Sequence, residues 1–91
     1  MSLQLEIYTP ERKVFGGEVN GIQLPGLDGL FEVLSHHASL VSAIVAGKMK
    51  VMHEKEDNSY YKIKGGFIEV LNNHATVLVE GAIPFPGTEK E

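Results

Sequence analysis

Four histidines and a scatter of carboxylates are the side chains of this sequence best equipped for chemistry. His36 and His37 are adjacent, with His53 and His74 farther along; imidazole is the commonest zinc ligand, and three would complete a catalytic site. Their spacing argues against one. Neighbouring residues of a strand point to opposite faces, and no pair has the i, i+4 separation that aligns two ligands on a helix. Loop or surface roles fit these histidines better. Glu6, Glu32, Glu69 and Glu80 each stand in a strand-like stretch, where two of them could serve as an acid–base pair, but solvated positions on the outer face of a sheet explain them better. No serine lies in a nucleophile elbow, and Gly16, Gly17, Gly21, Gly26, Gly29, Gly47, Gly65 and Gly66 do not form a phosphate-cradling loop ahead of a helix. They read as turns and bulges. With no cysteine, disulfides, thiolate nucleophiles and cysteine-ligated metal centres are excluded. No catalytic residue, cofactor or metal is expected.

One short motif offers a different chemistry. Lys48-Met49-Lys50 is similar to the Met-Lys-Met hairpin of biotin- and lipoate-carrying domains, which are also small β structures. In those domains the modified lysine stands at an exposed two-residue turn. Here the tripeptide is inverted and lies within an alternating run that continues to Val51. A carrier domain modified at Lys48 or Lys50 is the alternative function, with a small metal-dependent enzyme behind it.

The elements that would position any of these residues are strands. Leu3, Leu5 and Ile7 alternate with Gln4, Glu6 and Tyr8, the period of a half-buried strand. Thr9-Pro10-Glu11-Arg12 then offers a turn, Lys13-Val14-Phe15 resumes extension, and Gly16-Gly17 interrupts it. Residues 18–24 read as a strand with Gly21 inside it, ended by Pro25-Gly26. After the turn Leu27-Asp28-Gly29, the stretch Leu30 to Leu34 predicts a short strand, whereas Ser35 to Ile44 mixes helix and strand formers and is assigned to loop. Gly47 opens one arm of a hairpin, with Asp57-Asn58 near its tip and Tyr60 to Lys64 returning. Asn72-Asn73 suits the turn of a second hairpin, between Phe67–Leu71 and Ala75–Glu80. The tail from Gly81 holds Pro84 and Pro86 and is expected to fray.

Seven or so short strands and no helix-period stretch predict an all-β fold, a small antiparallel sandwich or flattened barrel. Parallel pairing is not expected, because a parallel crossover takes about a dozen residues and the connections are shorter. The domain should occupy residues 1–83, with 84–91 a disordered tail. Its 91 residues are 43% hydrophobic and 22% charged, enough to bury one core and unlike a disordered chain. A formal charge of −4 with scattered bases disfavours nucleic acid as a partner. The longest uninterrupted apolar run is Ala43-Ile44-Val45-Ala46, far short of the roughly 20 residues of a spanning helix, and neither a membrane span nor a signal peptide is expected.

Several segments together resemble the N-terminal β-sandwich domain of the epsilon subunit of the F-type ATP synthase. They are Leu5 to Gly17, Leu24-Pro25-Gly26 with Gly29, His37-Ala38 with Leu40 to Ile44, Gly65 to Val70, and Thr76-Val77-Leu78. Each is short, but their order and spacing run through nearly the whole chain. The family usually has a Gly-Val-Leu-Pro-Gly-His-Ala-Pro type of stretch where this chain has Glu32 to Ser39. Two glycines and two prolines are thereby lost, and His36 meets a steric penalty if the family glycine at its position has positive φ.

The resemblance implies a short-form, non-catalytic rotor subunit that links the gamma subunit to the c-ring and helps couple proton flow to ATP synthesis. Such a subunit would be peripheral to the membrane, on the cytoplasmic face of a bacterial energy-coupling membrane or the equivalent organellar face. Leu30, Phe31 and His37 are the expected c-ring contacts by this matching, with Leu30 where some relatives carry an acid. Thr9, Tyr8 and Phe67 are the expected gamma contacts, and Tyr60 is a further candidate because alternation turns it outward. Residues 84–91 hold no helical segment, so the inhibitory and ATP-binding roles that the family ties to a C-terminal helical hairpin are not carried over. Leu3, Ile7 and Ile22 could belong to the core or to the gamma-facing flank.

Overall fold

A computed structural model describes residues 2–86. Ten strands form two five-stranded sheets packed face to face. One sheet, here sheet A, has the order β2-β1-β9-β8-β5, built from β1 (Leu3–Tyr8), β2 (Lys13–Val19), β5 (Leu40–Ile44), β8 (Gly66–Leu71) and β9 (His74–Val79). Sheet B has the order β10-β7-β6-β3-β4, from β3 (Gly21–Gly26), β4 (Gly29–Leu34), β6 (Gly47–Met52), β7 (Ser59–Ile63) and β10 (Ala82–Phe85). The all-β sandwich read from the sequence is the fold found.

Period-two patterning explains which residues enter the core. Leu3, Leu5 and Ile7 from β1, Ile68 and Val70 from β8, and Ala75, Val77 and Val79 from β9 meet Ile22, Leu24, Val33, Met49, Val51, Tyr61 and Ile63 from sheet B. Leu3, Ile7 and Ile22 are thus core residues, fully removed from solvent. No polar or charged residue is buried among those described, so the two inner faces cohere by apolar burial alone.

The turn chemistry took the predicted form in two places. Leu71 pairs with His74 across Asn72 and Asn73, whose φ values of 52° and 62° are those of a type I′ hairpin. Leu27 and Asp28 connect the register pair Gly26 and Gly29 of the β3–β4 hairpin, with Gly29 at φ 114°.

Elsewhere the structure departs from the sequence-based expectations. The strand expected over 18–24 is broken at Asn20, where the chain leaves sheet A for sheet B and the Asn20 amide bonds to the Met52 carbonyl at 2.7 Å. Gly16 and Gly17 interrupt nothing and lie within β2. The segment assigned to loop contains β5, an edge strand whose Leu40 and Ile44 turn inward while Val41 faces solvent.

The expected domain boundary at residue 83 falls inside β10, which pairs with β7 through Phe85. Pro84 is accommodated because β10 is the sheet edge, where a missing amide donor breaks no ladder. The part of the expected tail from 87 to 91 lies outside the described residues. Parallel pairing, excluded on connection length, is also present: β1 runs parallel to β9, Gln4 opposite His74 through Tyr8 opposite Leu78. The length rule applies to strands joined by one crossover, whereas here most of the domain separates the two.

Candidate functional site

The outer face of sheet A is laid out in rows by the strand registers. Ala43, Phe67, Leu78, Tyr8 and Lys13 stand side by side across β5, β8, β9, β1 and β2. The next row is Val41, Glu69, Thr76, Glu6 and Gly16, and beyond it come Leu71, His74, Gln4 and Glu18. The first row is apolar over four strands. Phe67 is 58% exposed and Leu78 52%, and Val41 and Leu71 on the same face are also exposed. Large apolar side chains gathered on one solvated sheet face mark a docking surface, since singly scattered ones would need no explanation.

At the end of that row, Tyr8, Thr9, Pro10, Gly66, Phe67, Leu78, Val79 and Glu80 line a shallow concavity of about 300 Å³. All three residues expected to face gamma, Tyr8, Thr9 and Phe67, therefore come together. Leu78, Val41 and Leu71 were missed. Leu78 was legible in principle, because it alternates with the buried Val77 and Val79. Gly66 shapes the floor: a Cβ there would collide with the Leu78 carbonyl, so β8 and β9 approach closely only because this residue has no side chain.

Tyr60 stands on the outer face of sheet B, opposite in direction to Tyr61, yet is only 8% exposed. Phe85 of β10 lies beside it, ring centroids 6.1 Å apart. The strand that the sequence did not suggest thus helps cover a residue expected to be free, and Tyr60 is withdrawn from the candidate surface.

The three residues expected to face the c-ring are not brought together. Leu30, 66% exposed, and Leu27, 78% exposed, form the tip of the β3–β4 hairpin. Phe31, adjacent in a strand, turns the other way and packs partly against the core, where its ring lies under Gly26. His37 follows the far end of β4, its amide donating to the Leu34 carbonyl at 3.2 Å. At about 3.3 Å per residue, Leu30 and Leu34 alone are roughly 13 Å apart. His37 belongs instead beside the β8–β9 turn, because the amide of His36 donates to Asn73 Oδ1 at 2.7 Å while Asn73 Nδ2 donates to the Ser2 carbonyl at 2.8 Å. His36 has φ 65°, the left-handed conformation expected where the family has glycine.

The remaining candidate chemistries find no geometry. Among the described residues no three His, Asp or Glu side chains are grouped so as to hold a metal ion. His53 Nε2 is 2.8 Å from Ser59 Oγ and its ring packs edge-on to Phe15 at 5.8 Å, while the His37 ring nitrogen Nδ1 lies 2.8 Å from the neighbouring Ala38 carbonyl. Lys48 and Lys50 lie within β6, between β3 and β7. The exposed two-residue turn of a carrier domain is absent there, because the alternating run around the motif is spent on pairing.

Electrostatics on the outer face of sheet A centre on Glu6. Tyr8 donates its hydroxyl to Glu6 Oε1 at 3.0 Å, Lys13 Nζ is 3.5 Å from Oε2, and His74 Nε2 is 3.6 Å from Oε1. The Tyr8 hydrogen bond foremost, aided by the Lys13 and His74 charges against some desolvation, holds the Glu6 carboxyl below the usual carboxylate range.

Comparison with known proteins agrees with this architecture. Residues 2–85 match the family model described as the ATP synthase delta/epsilon chain beta-sandwich domain. The chain is 39% identical over 79 residues to the ATP synthase epsilon chain of Chlorobium limicola, covering 87% of this chain and 90% of that protein. It is also 39% identical over 80 residues to the epsilon chain of Protochlamydia amoebophila, covering 88% of this chain but 54% of that one. It therefore spans nearly all of one relative and about half of the other. Among solved structures, a chain in the Euglena gracilis mitochondrial ATP synthase OSCP/F1/c-ring assembly superposes with a TM-score of 0.87 at 22% identity, over 91% of this chain and 53% of that chain. That likeness is one of fold, while the sequence matches fix the relationship: the chain belongs to the ATP synthase delta/epsilon chain family, with residues 2–85 matching its beta-sandwich domain.

Proposed function

We propose that the chain is a non-catalytic subunit of the central stalk of a proton-translocating F-type ATP synthase, seating the gamma subunit on one surface and the c-ring on another. The carrying observation is the apolar row on the outer face of sheet A, with Phe67 and Leu78 both more than half exposed beside the Tyr8–Thr9–Pro10 concavity. A rotor coupling needs a broad contact with an apolar centre and a polar rim rather than a deep pocket, and this face has that layout, with Glu69, Glu6 and Lys13 around the apolar row. Five strands about 4.8 Å apart and six residues of about 3.3 Å each make a face of roughly 24 by 20 Å. That is a little over half of the ~800 Å² per partner of a standard interface, so neighbouring loops must contribute.

A c-ring contact at the β3–β4 tip is supported by the projecting Leu30 and Leu27 and by Phe31, which anchors the hairpin to the core. His37, at the other end of β4, is not part of that patch. The subunit is peripheral to its membrane through its partners, on the side where the gamma subunit lies; no helix of the described residues is long and apolar enough to cross a bilayer.

The test is titration of the purified chain with the gamma subunit of its own organism, by calorimetry and co-elution. A saturable one-to-one complex is expected, weakened by Thr9→Arg and about 30-fold or more by Phe67→Asp, the loss typical of an interface hot spot. Absence of binding at tens of micromolar, with both proteins folded, refutes the proposal.

A further inference from the structure

The apolar row contains one side chain that is held by the row beside it. Tyr8 is bonded through its hydroxyl to Glu6 Oε1 at 3.0 Å, and Lys13 Nζ lies 5.8 Å from the Tyr8 ring centroid while reaching Glu6 Oε2 at 3.5 Å. The lysine can take this path because it crosses Gly16: a Cβ at that position would lie 2.6 Å from Lys13 Cε. Gly16 is also the residue paired with Glu6 in the β1–β2 register. A glycine, a carboxylate and a folded-back lysine thus combine to fix one aromatic ring.

We infer that Glu6 is a positioning residue of the gamma-facing surface, which clamps Tyr8 in one orientation before the partner arrives. This rests on the proposed function of that face. Ordering a mobile side chain weakens association, so a ring already fixed in its bound orientation raises affinity without adding a contact. The carboxyl's lowered pKa agrees with its remaining ionised as the acceptor for both Tyr8 and Lys13. The Cβ of Gly16→Ala would meet the flexible end of a lysine rather than backbone, so this change displaces the Lys13 arm at little cost to the fold.

The experiment is calorimetric titration of the whole chain with gamma, for wild type, Glu6→Leu, Glu6→Gln, Tyr8→Phe, Gly16→Ala and the Glu6→Leu/Tyr8→Phe pair. Thermal unfolding of each variant and NMR relaxation of the Tyr8 ring in the free chain accompany it. Glu6→Leu and Tyr8→Phe are each expected to weaken binding roughly threefold to tenfold. The pair should lose no more than the larger single change, since both break one clamp. Glu6→Gln should recover part of the loss, because its amide oxygen still accepts the Tyr8 hydroxyl, and Gly16→Ala should lose part through Lys13. Glu6→Leu should free the Tyr8 ring while lowering Tm only by the small amount that a solvated ion-pair cluster contributes.

Binding by Glu6→Leu equal to wild type overturns the inference and leaves the docking surface standing. Fully multiplicative losses in the pair also overturn it, because Glu6 would then act on the partner independently of Tyr8. Failure of the wild-type chain to bind gamma overturns the surface itself and the clamp with it.

Discussion

Replacement of Asn73 should cost more stability than its half-exposed turn position suggests. The residue ties its turn to two other segments: side-chain Oδ1 accepts from the His36 amide at 2.7 Å, Nδ2 donates to the Ser2 carbonyl at 2.8 Å, and its backbone carbonyl accepts from the Gln4 amide at 3.2 Å. Its φ of 62° adds a backbone requirement that asparagine meets and alanine does not. The His36 bond is exposed and contributes about 0.5 kcal/mol, and the part-buried Ser2 bond about 1 kcal/mol. Forcing alanine into the left-handed region costs roughly 1 kcal/mol more.

Asn73→Ala should therefore lose about 2.5 kcal/mol, Asn73→Gly about 1.5, and Asn73→Asp, which keeps the acceptor but lacks the donor, about 1 kcal/mol. Urea unfolding of the four proteins under one condition reads all three differences. For a domain of this size the alanine variant should melt ~10 °C or more below wild type. A loss for Asn73→Ala below about 0.5 kcal/mol would refute the reasoning. So would a glycine variant no better than alanine, since the backbone contribution would then be absent.

Further outcomes follow from neighbouring features. His36→Gly relieves a left-handed φ of 65° and should be neutral to stabilising by up to ~1 kcal/mol in the same urea assay. Gly66→Ala drives a methyl group into the Leu78 carbonyl and should destabilise by more than ~2 kcal/mol, with loss of gamma binding where the concavity is deformed. The Glu6 carboxyl is lowered in the folded state, so its stabilising contribution is fully present above the ordinary glutamate pKa and is lost as pH falls through the folded value. Denaturation midpoints between about pH 5 and 3 should therefore fall less steeply for Glu6→Gln than for wild type.

The legible parts of the fold were those where local pattern and tertiary environment agree. β1 was readable because Leu3, Leu5 and Ile7 alternate without exception, and the β8–β9 hairpin because paired asparagines suit two consecutive left-handed positions. β5 and β10 were hidden for a common reason: both are edge strands, bonded on one side only, so they tolerate the serine, alanine and proline that a central strand would reject.

Of the switches between sheets, those at Asn20 and Gly65 were hidden because the glycines beside them read as a bulge and a turn, and glycine marks a corner between layers as readily as a hairpin; the one near Gly81 fell in the stretch expected to fray. The candidate gamma face was legible through the family resemblance and through alternation at Tyr8 and Phe67, and at Leu78 in principle, but its extension to Val41 needed the strand order. The proposed c-ring patch was only partly legible. Consecutive residues such as Leu30 and Phe31 necessarily diverge in a strand, and nothing local reveals that His37 lies at the other end of β4.

The parallel pairing of β1 with β9 has a consequence for how the protein is made. Gln4 meets His74, seventy residues later, so β1 has only β2 to pair with in sheet A until β9 has been synthesised. Its other edge waits with unsatisfied amides and carbonyls beside Leu3, Leu5 and Ile7, the kind of exposed template that recruits wrong partners. Pairings of such long sequence separation are also slow to form. Completion of sheet A is therefore a late event in folding, and a chain stalled before β9 is a hazard to its neighbours rather than a half-useful domain.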